Sequence, residues 1–198
     1  MNLTIPLFPL KLTVLPYDII PLHIFEDRYK KMIDSSIETN SQFGIILNSK
    51  SKFCKIGCLV SVDKILNKYD DGRYDLLIKG EKRFEIISTT IENNLQSAKI
   101  KILDENYNNS QKMISNIIDK YIKMLLIFNV KHDYQTEINK NKSYDFTKNI
   151  IIPNPIKQNL IELNNEYERL DFIESFLDKI INQTDLDNQD IFNNELPN

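Results

Sequence analysis

Two histidines and two cysteines are the residues of this 198-residue chain best suited to acid–base, nucleophilic or metal chemistry. Cys54 and Cys58 stand in a C-x-x-x-C spacing. That is neither a redox C-x-x-C pair nor half of a four-cysteine zinc site, because no second cysteine pair exists. Cys58 lies in the apolar run Ile56 to Val62, so both cysteines read as reduced structural thiols, small hydrophobes by behaviour. A ligand set drawn from Cys54, Cys58 and His23 or His132 has nothing else in the sequence to support it. His23, between Leu22 and Ile24, reads as a hydrogen-bonded strand residue rather than a base, and His132 as a solvated residue of a polar loop. Glu81, Lys82 and Arg83, directly after Gly80, read as a solvated charged turn. Serine and lysine are plentiful enough for a Ser-Lys hydrolase, yet nothing in the sequence places such a pair.

The motif search is equally sparse. There is no G-x-x-x-x-G-K-[ST] loop to cradle nucleotide phosphates, no G-x-S-x-G and no H-E-x-x-H. The four glycines, Gly44, Gly57, Gly72 and Gly80, are scattered in or beside apolar runs and form no phosphate loop. The sequence therefore assigns no catalytic, cofactor-binding or metal-binding residue. A net charge of -3 disfavours nucleic acid as a partner, since phosphate binding draws on a basic surface. No basic segment followed by an apolar one opens the chain, and no apolar run reaches the roughly 18 residues that a membrane-spanning helix needs. The expectation is a cytoplasmic protein without a membrane partner.

The elements that must position any site divide at about Asp104. Before it, Thr4 to Lys11 and Ile19 to Phe25 read as short strands in which Pro6, Pro9 and Pro21 favour edge or bulge positions. From Glu26 to Ile37 the period changes to helical, with Tyr29, Met32, Ile33 and Ile37 on one face. Strands resume at Phe43 to Leu47 and Ile56 to Ile65. Asp70-Asp71-Gly72-Arg73 is a hairpin turn in which Gly72 can take positive φ, and Tyr74, Leu76 and Ile78 alternate after it. Phe84 and Ile86 share a strand face, as do Ala98, Ile100 and Ile102.

After Asp104 the pattern is helical. Met113 to Phe128 carries a broad apolar stripe, Lys131 to Lys142 reads as a connecting loop, and Tyr144 to Ile151 as a short helix. Pro153 and Pro155 precede a final helical region with a break near residues 164–166. The expected organisation is a strand-rich unit over residues 1–104, a helical unit over 105–183 and a disordered polar tail over 184–198.

These segments also carry a family pattern. Ile5-Pro6-Leu7-Phe8-Pro9-Leu10, Val14-Leu15-Pro16 and Pro21-Leu22-His23-Ile24-Phe25-Glu26-Asp27-Arg28-Tyr29 resemble the opening of the Lon protease N-terminal, or substrate-binding, domain. Phe43-Gly44-Ile45, Ile56-Gly57-Cys58-Leu59, Asp71-Gly72-Arg73-Tyr74-Asp75-Leu76, Gly80-Glu81-Lys82-Arg83-Phe84, and Lys157-Gln158-Asn159-Leu160-Ile161-Glu162 with Glu168-Arg169-Leu170 follow in the family's order. Asp27 stands where the family usually has proline, and Tyr17-Asp18 where it usually has proline-glycine or glycine. The resemblance implies an α+β fold: a PUA-like β pseudobarrel with one inserted helix, followed by a C-terminal helical subdomain. Phe8, Phe25, Tyr29 and Phe84 are expected in its core.

The resemblance further implies a stand-alone, non-catalytic module that recognises protein substrates, without the ATPase and peptidase domains of Lon. Its partners would be unfolded or specific proteins, or a separate protease, with a role in quality control or as an adaptor. An RNA-binding PUA-like module is the alternative, and an unrecognised hydrolase a third. No residue is assigned to partner contact from sequence.

Overall fold

The computed structural model of the chain describes residues 2–48, 54–92, 94–107, 111–148 and 150–194. Two compact units result: Met1–Asp104 with Ile152–Glu162, and Glu105–Ile151 with Leu163–Asn198. The first is built on strands β1 (Asn2–Leu10), β2 (Ile19–Ile24), β3 (Phe43–Leu47), β4 (Ile56–Lys68), β5 (Tyr74–Glu92) and β6 (Leu95–Ile102). Helix α1 (Asp27–Thr39) separates β2 from β3, and α4 (Asn154–Glu162) joins this unit from far along the chain.

The six strands run in the order β2-β5-β4-β3-β1-β6, and β6 pairs again with β5. Hydrogen bonding therefore goes round five strands in a ring-like sheet, with β2 added on β5. This is the form the expected pseudobarrel takes. β1 and β3 are parallel, with Leu7 opposite Gly44, while the other pairings are antiparallel. Ile5, Leu7, Ile46, Leu59, Phe84, Ile86, Ala98 and Ile100 fill the inside of the ring. Each of these side chains except that of Ala98 contributes roughly 1.5–3 kcal/mol when taken from water.

β5 is the longest strand, and its pairing changes along its length. Residues 74–79 lie between β2 and β4, whereas Phe84–Glu92 face β6. Register shifts at Leu59/Val60 in β4 and Ile86/Ser88 in β5 mark where the ribbon bends, as bulges do. Gly80 permits a close crossing: its amide donates to the Asp18 carbonyl at 2.9 Å and its carbonyl accepts from the Tyr17 amide at 2.8 Å. A Cβ there would stand 2.1 Å from the Leu15 carbonyl oxygen. Tyr17 itself has φ 69, a left-handed conformation costing an ordinary residue about 1–2 kcal/mol, in the Tyr17-Asp18 pair that stands where the resemblance leads one to expect proline-glycine or glycine. Asp27, standing for the family's proline, is the first residue of α1, a position that suits proline and an acidic side chain equally.

α4 is tied to the strands by polar contacts along its length. Asn154 accepts from the Thr13 amide at 3.2 Å and donates to the Lys11 carbonyl at 2.9 Å. Gln158 accepts from the Thr13 hydroxyl at 3.0 Å and donates to the Ile56 carbonyl at 3.3 Å, and Lys157 meets Asp18 at 2.9 Å. Arg83 completes the set by donating to the Ile161 carbonyl, at the helix C-terminus, at 2.8 Å. The expectation of a solvated turn at Glu81-Lys82-Arg83 is therefore corrected: all three lie within β5 and Arg83 is 2% exposed.

The second unit holds α2 (Gln111–Ile127), α3 (Tyr134–Ile138), a 3-10 turn at Ser143–Thr147 and α5 (Glu166–Asn194). α2 packs on α5, and Lys120 reaches Glu174 and Asp178 across that contact at 2.8 and 2.7 Å. Arg169 is fully buried and bonds Glu166, Glu105, the Ser143 hydroxyl and the Leu163 carbonyl, beneath the Tyr144 ring. Two local expectations change here. α3 forms inside the stretch read as a loop, because Asp133 caps it by accepting from the Thr136 amide at 3.0 Å and Glu137 is buried against Lys140. The helix expected at Tyr144 to Ile151 is the shorter 3-10 turn. The break after Glu162 falls at residues 163–165, as expected, and α5 is helical through Asn194, whereas a disordered tail was expected from residue 184; residues 195–198 lie outside those described.

Gly80→Ala tests the crossing at β5. The added methyl has no room against a backbone oxygen, so we expect a loss of at least about 3 kcal/mol in urea unfolding, or failure to fold.

Candidate functional site

β2 is an outer strand, and its side chains alternate between covered and exposed. Ile20, Leu22 and Ile24 turn toward the unit's interior, while Ile19, Pro21 and His23 face out. Phe25 follows the strand and is 61% exposed, which corrects its expected place in the core; Phe8, Tyr29 and Phe84 are buried as expected. The difference follows from position. Phe84 lies inside the ring, whereas Phe25 falls on the outward parity of β2 at the point where the chain turns into α1.

His23 stands opposite Asp75 of β5, and its Nδ1 is 2.6 Å from the carboxylate. Tyr69 donates its hydroxyl to the other oxygen of Asp75, also at 2.6 Å. The His23 ring stacks on Phe25 at 6.0 Å and meets the edge of Tyr69 at 6.1 Å, and Arg73 lies over the Tyr69 ring at 4.7 Å. A histidine oriented by a carboxylate resembles two-thirds of a hydrolytic triad, but no hydroxyl or thiol among the described residues bonds to His23. Tyr69 first, then His23, holds the Asp75 carboxyl below the ordinary carboxylate range. The cluster locks the register of β2 on β5 and offers aromatic surface.

Where β2 passes into α1, a cleft of about 710 Å³ is lined by Glu26, Asp27, Arg28, Lys31, Glu92 and Ser97, among others. Arg28 is fixed there by Glu26 at 2.7 and 3.0 Å and by the Asn94 carbonyl at 3.2 Å, and it covers the Tyr29 ring at 4.6 Å. Ile91, 73% exposed, edges the adjoining hollow. The helical unit has a cleft of its own, about 700 Å³, between α2 and the stretch from Tyr134 to Lys142. The first cleft is largely charged, with Leu95 its apolar lining residue, whereas the second also presents Ile114, Ile118 and Ile138.

The remaining sequence candidates are not brought together. Cys54 and Cys58 are both buried and form no disulfide, and burial pushes the Cys58 thiol well above its usual range, which favours the neutral thiol. His132 faces the Val130 carbonyl at 2.8 Å and is half-buried. Among the described residues, no group of three His, Cys, Asp or Glu could hold a metal ion, and no helix is long and apolar enough to cross a membrane.

A family model described as the ATP-dependent protease La (LON) substrate-binding domain matches residues 4–179. The chain belongs to the Lon substrate-binding domain family. Curated relatives include the Lon protease of Flavobacterium johnsoniae, 25% identical, with 85% of this chain and 23% of that protein aligned. The Lon protease of Parabacteroides distasonis is 27% identical over 71% of this chain and 19% of its own length. The chain thus spans less than a quarter of either relative. Among solved structures, a Lon N-terminal domain protein from Xanthomonas campestris superimposes with a TM-score of 0.68 at 20% identity, covering 85% of this chain and 95% of that one. The N-terminal domain of Mycobacterium avium complex Lon protease gives 0.71 at 14% identity, covering 88% and 98%. Both place this chain in the same α+β fold as the Lon N-terminal domains.

The sequence reads His23 as a hydrogen-bonded strand residue but does not name its partners. Asp75 and Tyr69 become visible only once β2 is registered on β5. Arg28 belongs to a family motif, yet no local signal announces its cleft.

Two measurements check this site. A carboxyl depressed in the folded chain adds stability above its unfolded pKa of about 3.9 and loses it as pH falls through the lower folded value. Asp75→Asn should therefore be less stable than the parent at pH 7, with the difference shrinking below about pH 4; urea melts at pH 7 and pH 3 decide this. Arg83→Met removes a buried cation and leaves the Ile161 carbonyl without its donor. A loss of about 2–4 kcal/mol in the same melts is expected.

Proposed function

We propose that this chain is a non-catalytic binding module that holds exposed segments of other proteins, as a Lon-type substrate-recognition domain does, and serves in protein quality control or as an adaptor to a separate protease. The observation that carries this reading is the substrate-binding family model over residues 4–179. The surface agrees with it: Phe25, Ile91, Ile19 and Leu66 are exposed apolar side chains on a strand unit whose described contacts join no nucleophile to a base. A binding module needs such surface and tolerates the lack of catalytic groups. Its partners on this reading are unfolded or specific proteins, reached without cofactor or metal.

The test is capture by the immobilised chain of reduced, carboxymethylated model proteins beside their native forms. We expect the unfolded chains to be retained with Kd on the order of 1–100 μM and the native forms to pass through. Equal passage of both would remove the reading.

A further inference from the structure

Resting on the polypeptide-binding reading above, we propose that the free edge of β2 is where the bound segment lies, added as an antiparallel strand with a basic residue at its N-terminal end. Among the described residues β2 pairs with β5 alone, so its other edge carries no strand. The register fixes which groups that edge offers. Gly80 donates to Asp18, and Ile20 and Leu22 stand opposite Ile78 and Leu76 in the same phase. Alternate residues of an antiparallel strand bond to alternate sides, so the amides of Ile19 and His23 and the carbonyls of Ile19, Pro21 and His23 point away from β5. Added strands bind through such main-chain groups, with side chains giving selectivity.

Pro21 decides between two occupants. Its missing N–H falls on the outward side, where β2 loses no bond to β5. A second copy pairing edge to edge about this residue would bring two prolines together, each without a donor. A foreign segment suffers the gap on one side only, and it can still form two-bond pairs with Ile19 and His23.

Side chains and charge narrow the partner's chemistry. Ile19 and Phe25, 48% and 61% exposed, offer apolar contact to alternate residues of an added strand. At the Phe25 end Glu26 is taken up by Arg28 at 2.7 Å, whereas the Asp27 carboxylate is 90% exposed and meets, among the described residues, only the i,i+3 contact of Lys30 at 3.1 Å, a surface pair worth little. In the antiparallel sense the partner's N-terminal end reaches this point, and a lysine or arginine there meets the exposed Asp27 carboxylate.

The probe is the peptide Lys-Val-Thr-Val-Thr-Val, titrated into the full chain while amide hydrogen exchange is read residue by residue. We expect exchange at Ile19 and His23 to slow by about tenfold or more at saturation, with Ile20 and Leu22, already bonded to β5, little changed. A peptide with Glu in place of Lys should bind several-fold more weakly, and Asp27→Asn should narrow that difference. Ile19→Pro should weaken binding about fivefold or more; if that variant does not fold, exchange in the unaltered chain decides alone. Should the peptide and unfolded chains bind while Ile19 and His23 exchange as in the free protein, the edge proposal falls and polypeptide binding stands. Should neither bind, both fall.

Discussion

One strand serves three neighbours, and the strand unit depends on it. β5 runs from Tyr74 to Glu92, holding β2 and β4 at its start and β6 toward its end. A straight ribbon cannot do this without leaving an edge unpaired. The bends at the register shifts, and the close passage of Leu15 over Gly80, let one continuous backbone turn from one set of partners to the next. Closure of the ring follows, and with it an interior that Phe84, Leu59 and Ile100 can fill. β2 remains outside that closure, and among the described residues its outer edge carries no strand.

Polar groups fix what apolar burial leaves loose. α4 is bound by Thr13, Asn154, Gln158 and Arg83, in bonds joining residues up to 145 positions apart, and most of these groups are buried or partly so. Such bonds add modest net stability, but each excludes arrangements that would strand a buried donor or acceptor. Arg169 does the same in the helical unit by gathering Glu166, Glu105 and Ser143 around one guanidinium. The Lys157-to-Glu162 and Glu168-to-Leu170 motifs thus have separate physical roles, one clasping strands and the other ordering helices.

The titratable groups with functional potential are engaged in structure. His23 and Tyr69 share the Asp75 carboxylate, Arg28 is held by Glu26, and Cys58 is buried as a neutral thiol. Among the described residues, the outer edge of β2 carries no strand, and Ile19 and Phe25 are exposed beside it. The family to which the chain belongs is that of a substrate-binding domain.

The sequence by itself determined the elements and the family. Alternation in Tyr74-Leu76-Ile78, the change of period at Glu26 and the turn at Gly72 reflect local sterics and amphipathic spacing, which are written in neighbouring residues. The family motifs added the fold, because their order along the chain is itself sequence information. Only the tertiary structure decided that Arg83 is buried, that Phe25 is exposed, that His23 meets Asp75, and that Ile152–Glu162 belongs with the strands. Each of these depends on which distant segment arrives opposite. A run of charged residues after a glycine looks solvated until a helix C-terminus presents a carbonyl to it, and an aromatic in a motif looks buried until strand parity turns it outward.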